Sequence, residues 1–269
     1  LTEVTYERFV RAGAQLNDEQ KTQIRALNEE QSTLTNEFSQ RLLRLTKEIA
    51  IVVDNKEQLA GLSDSEITSA ANDAKAAGHE GKYLINITNT TRQPILASLE
   101  NRELRQRIWE ASANRGLTGE TETASLVSRL AQLRAERAAL LGYENWASYR
   151  LAPQMAKTPE AVYSMFGSMV PAVVANTKLE AEAIQQMIKQ KGGDFELQPW
   201  DWEYYAEFVR QAKYDLDENE VKQYFEFERV LQDGVFYTMN KLFGITMKPR
   251  PDLPGYHPDV KAYEVFDAD

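Results

Sequence analysis

Cysteine is absent from the 269 residues, which removes disulfides, thiolate nucleophiles and cysteine-based zinc sites together. Histidine is nearly absent: His79 and His257 are the only two. Helical zinc binding through H-E-x-x-H needs two histidines four residues apart on one face, and no such pair exists here. The usual zinc ligand set therefore cannot be written from this sequence. Serine chemistry fares no better: there is no G-x-S-x-G elbow, and no histidine follows Gly167-Ser168 until His257. Glycine-rich phosphate loops are also missing. Gly192-Gly193 reads as a helix stop, and the Asp194 that follows would repel phosphate. No apolar run approaches the roughly 20 residues of a spanning helix, so no membrane role is expected. Nor is there an excess of positive charge. With 31 Lys and Arg against 41 Asp and Glu, the formal net charge of −10 opposes phosphate backbones and argues against nucleic acid as a partner.

What is present is helical periodicity. From Asn17, an N-cap residue type, Ile24, Leu27, Leu34, Phe38, Leu42, Leu45, Ile49 and Val52 recur at three-, four- and seven-residue steps. They predict one amphipathic helix of about 50 Å at about 1.5 Å per residue. Ser63-Asp64-Ser65-Glu66 is a capping box opening an Ala-rich surface helix that stops at Gly78. Lys82–Ile87 is β-like. Further helices are expected from Asn101, from Glu120 to Leu141, and from Thr158-Pro159 to Gly192, with a kink at Pro171. Another begins at Asp217, and the last runs from Glu226 to Phe243, ended by Gly244. The closing segment, Asp259 to Phe266, alternates in the manner of a half-buried strand with no partner strand after it. Leu1 is not an initiator Met, and no cleavage pattern precedes the first helix. The chain reads as an internal piece of a larger protein.

Carboxylate pairs such as Asp201/Glu203 and Glu226/Glu228 read as solvated or capping groups, the ordinary state of acidic side chains. His79 reads as a turn residue. His257, before Pro258 in an extended segment, either lines a cleft or caps a strand. The aromatic group Trp200, Trp202, Tyr204, Tyr205 and Phe208 has two readings, core packing between helices or a substrate-facing wall.

Four segments carry a resemblance. They are Gln198-Pro199-Trp200-Asp201-Trp202-Glu203-Tyr204-Tyr205, Ala212-Lys213-Tyr214-Asp215-Leu216-Asp217-Glu218, Tyr224-Phe225-Glu226-Phe227-Glu228-Arg229-Val230-Leu231 and Tyr256-His257-Pro258-Asp259-Val260-Lys261. In order and spacing they resemble the thimet-oligopeptidase-like (M3) zinc metallopeptidases. Asn101-Arg102-Glu103-Leu104-Arg105 extends the likeness upstream, and Gln154-Met155-Ala156-Lys157-Thr158-Pro159 points to the peptidyl-dipeptidase (dipeptidyl carboxypeptidase) branch.

The resemblance implies a mainly α fold, the multi-helix lobe of a two-lobed channel-type peptidase, with short strands near 82–87 and 259–266. It implies an N-terminal helical segment over 1–98, a helical lobe over 99–244, and over 245–269 the start of a strand region leading to a catalytic lobe. It implies zinc in the full-length protein, held by H-E-x-x-H and a downstream Glu. Neither ligand set has a counterpart here, so no catalytic or metal residue carries over and this chain alone is expected to bind no zinc and hydrolyse nothing. Its expected task is to wall a channel for short peptides, with Trp200, Tyr204, Tyr205 and His257 as channel candidates and the missing catalytic lobe as partner. A cytoplasmic place is favoured, with a periplasmic one also open. The other reading is a self-contained, non-catalytic helical binding or scaffolding protein.

Overall fold

The computed structural model describes residues 2–88, 90–214 and 218–267, leaving aside the side chains of Gln93, Glu218 and Asn219. The fold is mainly α with two small antiparallel sheets among the described residues. The chain divides into two compact units, Leu1–Val209 and Arg210–Asp269. Among the described residues no helix is long and apolar enough to cross a membrane.

In the first unit α1 (Thr2–Arg11) precedes the long α2 (Asp18–Glu48). Asn17 and Gln20 form a reciprocal capping box at its start: each side chain accepts the other's backbone N–H, at 2.9 and 3.1 Å. The helix ends earlier than its apolar stripe. Ile49 is the C-cap, and Val52 belongs instead to β1 (Ile51–Val53), whose β-branched run suits a strand. A 3₁₀ turn (Lys56–Leu59) leads to α3 (Asp64–Ala76), where Ser63 and Glu66 make the expected box. This helix is not purely superficial, because Ala70 and Ala74 are buried.

β2 (Tyr83–Ile85) pairs antiparallel with β1, Ile51 opposite Ile85 and Val53 opposite Tyr83. Ile51, Val53 and Ile85 face one core with Leu59, Leu99 and Ile108. Those last two bring in α4 (Arg92–Ser98) and α5 (Arg102–Ala113). Gly61 shows how close the backbones come. At φ +94°, a Cβ there would lie 2.0 Å from the Ser98 carbonyl oxygen, beside the Glu100 N–H to Ala60 carbonyl bond of 2.9 Å.

α6 (Ala124–Leu140) packs along α2, followed by α7 (Trp146–Leu151) and α8 (Pro159–Gln190). Thr158 caps α8 and Pro159 holds its first position, where a missing N–H costs nothing. Pro171 lies inside this single continuous helix. Ile184 and Ile188 near the end of α8 are buried, whereas every residue from 163 to 180 is exposed. A 3₁₀ turn (Pro199–Asp201) then starts α9 (Trp202–Tyr214).

The second unit holds α10 (Glu218–Lys222), α11 (Phe227–Arg229), a π-helical segment (Val230–Phe236) and α12 (Tyr237–Phe243). The expected helix start at Asp217 lies outside the described residues. Gly244 ends α12 in the left-handed conformation, φ +74°. The closing strand is not partnerless: β4 (Tyr263–Phe266) pairs antiparallel with β3 (Thr246–Pro249), Thr246 opposite Phe266 and Pro249 opposite Tyr263. Its partner precedes it, in four residues that follow a helix stop and end on proline, too short to carry a legible alternation. The Tyr263 ring meets Phe236 edge-on at 5.0 Å, which seats the hairpin on the π-helical segment.

Candidate functional site

The strongest polar constellation of the first unit grows from the start of α5. Asn101 accepts the Leu104 N–H at 3.0 Å and fixes the first turn. Arg102 and Arg105, three residues apart, thereby share a face. Opposite them is Asp201, in the 3₁₀ turn before α9, one of its oxygens accepting the Gln198 N–H at 3.2 Å. Arg102 grips Asp201 with two parallel bonds, Nε to Oδ1 at 3.0 Å and Nη2 to Oδ2 at 2.8 Å. Arg105 adds Nη2 to Oδ1 at 3.1 Å.

Burial decides what this means. Asp201 is 0% exposed and Arg105 1%, so both charges depend on partners rather than water. Arg105 donates three further hydrogens to the carbonyls of Leu99 (2.8 Å), Glu100 (3.0 Å) and Trp200 (3.2 Å). Hydrogen bonding to Asp201 holds the Arg102 guanidinium above its ordinary range, against the opposing pull of burial. Of the two readings of this carboxylate the capping one holds, since it accepts the Gln198 N–H, but it is not solvated: it is the buried centre of an arginine clasp. Its partners sit 99 and 96 residues upstream, a separation that no local pattern reveals.

The aromatic candidates surround this clasp. The Arg102 guanidinium lies 3.9 Å from the Phe195 ring centre, and Arg105 lies 4.1 Å from that of Tyr204. Tyr204 meets Tyr205 and Phe208 edge-on, each at 5.1 Å. Burial, and secondarily the charge of Glu100, push the Tyr204 hydroxyl above its usual range. Tyr205 is buried with Ile184 and Ile188 at the end of α8. Trp200 stands edge-on to Trp109 at 6.0 Å, and its indole N–H is buried without a hydrogen-bond partner. Trp200, Tyr204 and Tyr205 are therefore brought together around one clasp in the first unit.

His257 belongs to the second unit. It is exposed, its Nδ1 accepting the Asp259 N–H at 3.3 Å and lying 3.5 Å from the Asp259 carboxylate. His79 is exposed just after α3. Among the described residues no group of three or more histidines or carboxylates could hold a metal ion, so the residues present do not fit a zinc site. The clasp has no nucleophile beside a base. What it can do is hold α5 and α9 in fixed register and present aromatic edges on a rigid support.

A mainly helical scaffold, with aromatic rings packed around a buried ion-pair cluster, is the frame. Comparison with known sequences then places it: the chain belongs to peptidase family M3, whose model matches residues 95–269. That family is zinc-dependent in general. It is 44% identical over 268 residues to a dipeptidyl carboxypeptidase of Escherichia coli, covering 99% of this chain and 39% of that protein. To the dipeptidyl carboxypeptidase of Salmonella typhimurium it is 45% identical over 270 residues, 100% of this chain and 40% of the relative. Oligopeptidase A of Escherichia coli is 30% identical over 241 residues, 88% and 35%. The chain spans about two fifths of the length of the dipeptidyl carboxypeptidases it matches.

Proposed function

We propose that these 269 residues form the helical, substrate-confining portion of a zinc-dependent peptidyl-dipeptidase, walling a channel that admits short peptides. The observation that carries this reading is identity of 44 and 45% along essentially the whole chain to two dipeptidyl carboxypeptidases. In this reading zinc is held by sequence outside these residues, since no H-E-x-x-H occurs within them. The chain's own contribution is mechanical and steric. The Arg102–Asp201–Arg105 clasp fixes the turn carrying Trp200 and the first turn of α9 carrying Tyr204 and Tyr205, and these rings stiffen the wall. His257, on the second unit, offers an exposed imidazole to the peptide. The setting proposed is cytoplasmic.

The test compares two proteins. The 269-residue chain with added zinc should release no dipeptide from a short N-blocked peptide, and a chain extended past Asp269 along its reading frame should release dipeptides from the C-terminus. Hydrolysis by the 269 residues alone overturns the reading. A stop codon after Asp269 overturns it in favour of a self-contained helical binding or scaffolding protein.

A further inference from the structure

A second polar feature of the first unit lies away from the clasp, along α2. A shallow groove of about 610 Å³ is lined by Asn28, Gln31, Ser32, Thr35, Asn36 and Ser39, with Arg137 of α6. That volume falls within the roughly 300–1,000 Å³ of ligand pockets. The lining is unusual for a chain of net charge −10: it contains no carboxylate, and Arg137 is its one charged group. Three of the four acids adjacent in sequence to lining residues are paired elsewhere. Glu30 is gripped by Arg129 through two bonds of 2.7 and 2.8 Å, Glu136 also pairs with Arg129, and Glu37 pairs with Arg41.

Arg137 is left over. Every other partly or fully buried arginine of the first unit donates a hydrogen bond to an oxygen. The Arg137 Nε is buried and has no hydrogen-bond partner, while Trp146 and Tyr149 lie beneath the guanidinium with ring centres 5.9 and 5.7 Å away. A half-buried guanidinium without a counter-charge is a standing demand for an anion, and a carboxylate matches its planar fork best.

The neutral groups say which anion. Three primary amides and three hydroxyls line it; Ser39 donates to the Thr35 carbonyl at 3.0 Å and keeps only its acceptor side, while the amides can donate and accept, which suits the alternating N–H and C=O of a peptide backbone. From Asn28 to Ser39 the strip runs about 16 Å at about 1.5 Å per residue, the length of about five extended residues. We propose that this strip of α2, with Arg137, binds a short extended peptide and pairs its C-terminal carboxylate with the Arg137 guanidinium. The inference deepens the peptidase reading and rests on it for the choice of peptide over other carboxylates.

The experiment is an NMR titration of the 269-residue chain with trialanine and with trialanine amide. The side-chain amides of Asn28, Gln31 and Asn36 should shift saturably with the free acid, and the amide should bind about tenfold more weakly or worse, having lost a charge-assisted pair. Arg137→Gln should erase that difference, and Arg137→Lys should keep part of it. Thr35→Glu, at an exposed position, should abolish binding of the acid while leaving the thermal midpoint unchanged, which separates loss of the site from loss of the fold. Equal affinity for acid and amide, saturable shifts confined to residues outside α2 and α6, or no saturable shift at millimolar peptide would each overturn the proposal. If it falls while the extended chain still releases dipeptides, the peptidase reading stands without this site.

Discussion

Asp201 is wholly buried between two guanidinium groups, one of them 1% exposed, so the effect of replacing it follows from charge rather than shape. Asp201→Asn keeps the volume and some hydrogen bonds but leaves Arg105 as a buried cation with no counter-charge. Breaking a buried pair in this way costs about 3–5 kcal/mol. Urea denaturation should register a loss of that size; a loss below about 1 kcal/mol would mean that Arg105 finds water or another acid. Arg102→Gln should cost less, because 37% of the Arg102 side chain already meets solvent. The sequence offers Asp201 only as one of 41 acids, and exposure is the ordinary state of such groups. Trp200, Tyr204, Tyr205 and Phe208 were visible as a cluster because they lie close together in the sequence, whereas Phe195 and the distant Trp109 were not. The arginine partners of Asp201 were not visible either, because pairing across 96 and 99 residues leaves no periodic trace.

At the scale of elements, chain punctuation was the legible part. The Ser63 box, the Thr158 cap with Pro159 behind it and the Gly244 stop all stand where residue chemistry puts them. The failures share a cause. Val52 extends the spacing of α2 yet lies in β1, and β4 has its partner in the four-residue β3, because tertiary pairing overrides or hides so short a pattern. The glycines allow a sharper test. Gly61 and Gly78 have nearly equal φ, +94° and +83°, but a Cβ at Gly61 would strike the Ser98 carbonyl oxygen whereas one at Gly78 meets nothing within 4 Å. Gly78→Ala should cost only the left-handed penalty of roughly 1–2 kcal/mol. Gly61→Ala should cost at least twice as much, since backbone must move. Matched thermal or urea unfolding of the two variants decides the point, and equal losses would show that the Gly61 turn yields freely.

For the whole molecule the telling surface is α8. Tyr163, Phe166, Met169, Val173 and Leu179 are 47 to 72% exposed, on a stretch with no buried residue from 163 to 180. Soluble proteins seldom leave so much contiguous apolar surface bare. The 269-residue chain should therefore self-associate and bind a hydrophobic dye, and Met169→Lys with Val173→Lys should reduce both. Stability should change by no more than about 0.5 kcal/mol per site, as for other surface substitutions. A loss well beyond that would place this face inside a packed core. The family could be read from the sequence because its segments keep their order and spacing; the groove beneath Arg137 could not, because its lining is defined by which neighbouring acids are already taken.

The arginine clasp has one more consequence, which concerns time. Arg102 and Asp201 are 99 residues apart, so their contact closes a loop containing α6, α7 and α8. Loop closure of that length costs chain entropy before any contact rewards it, which predicts that the clasp forms late on the folding path. Contacts absent from the transition state leave the folding rate alone and slow unfolding. A clasp that closes so late would act as a latch on the lifetime of the folded chain: Asp201→Asn should then unfold faster while folding at an unchanged rate, and slowed folding would place the clasp in the transition state instead.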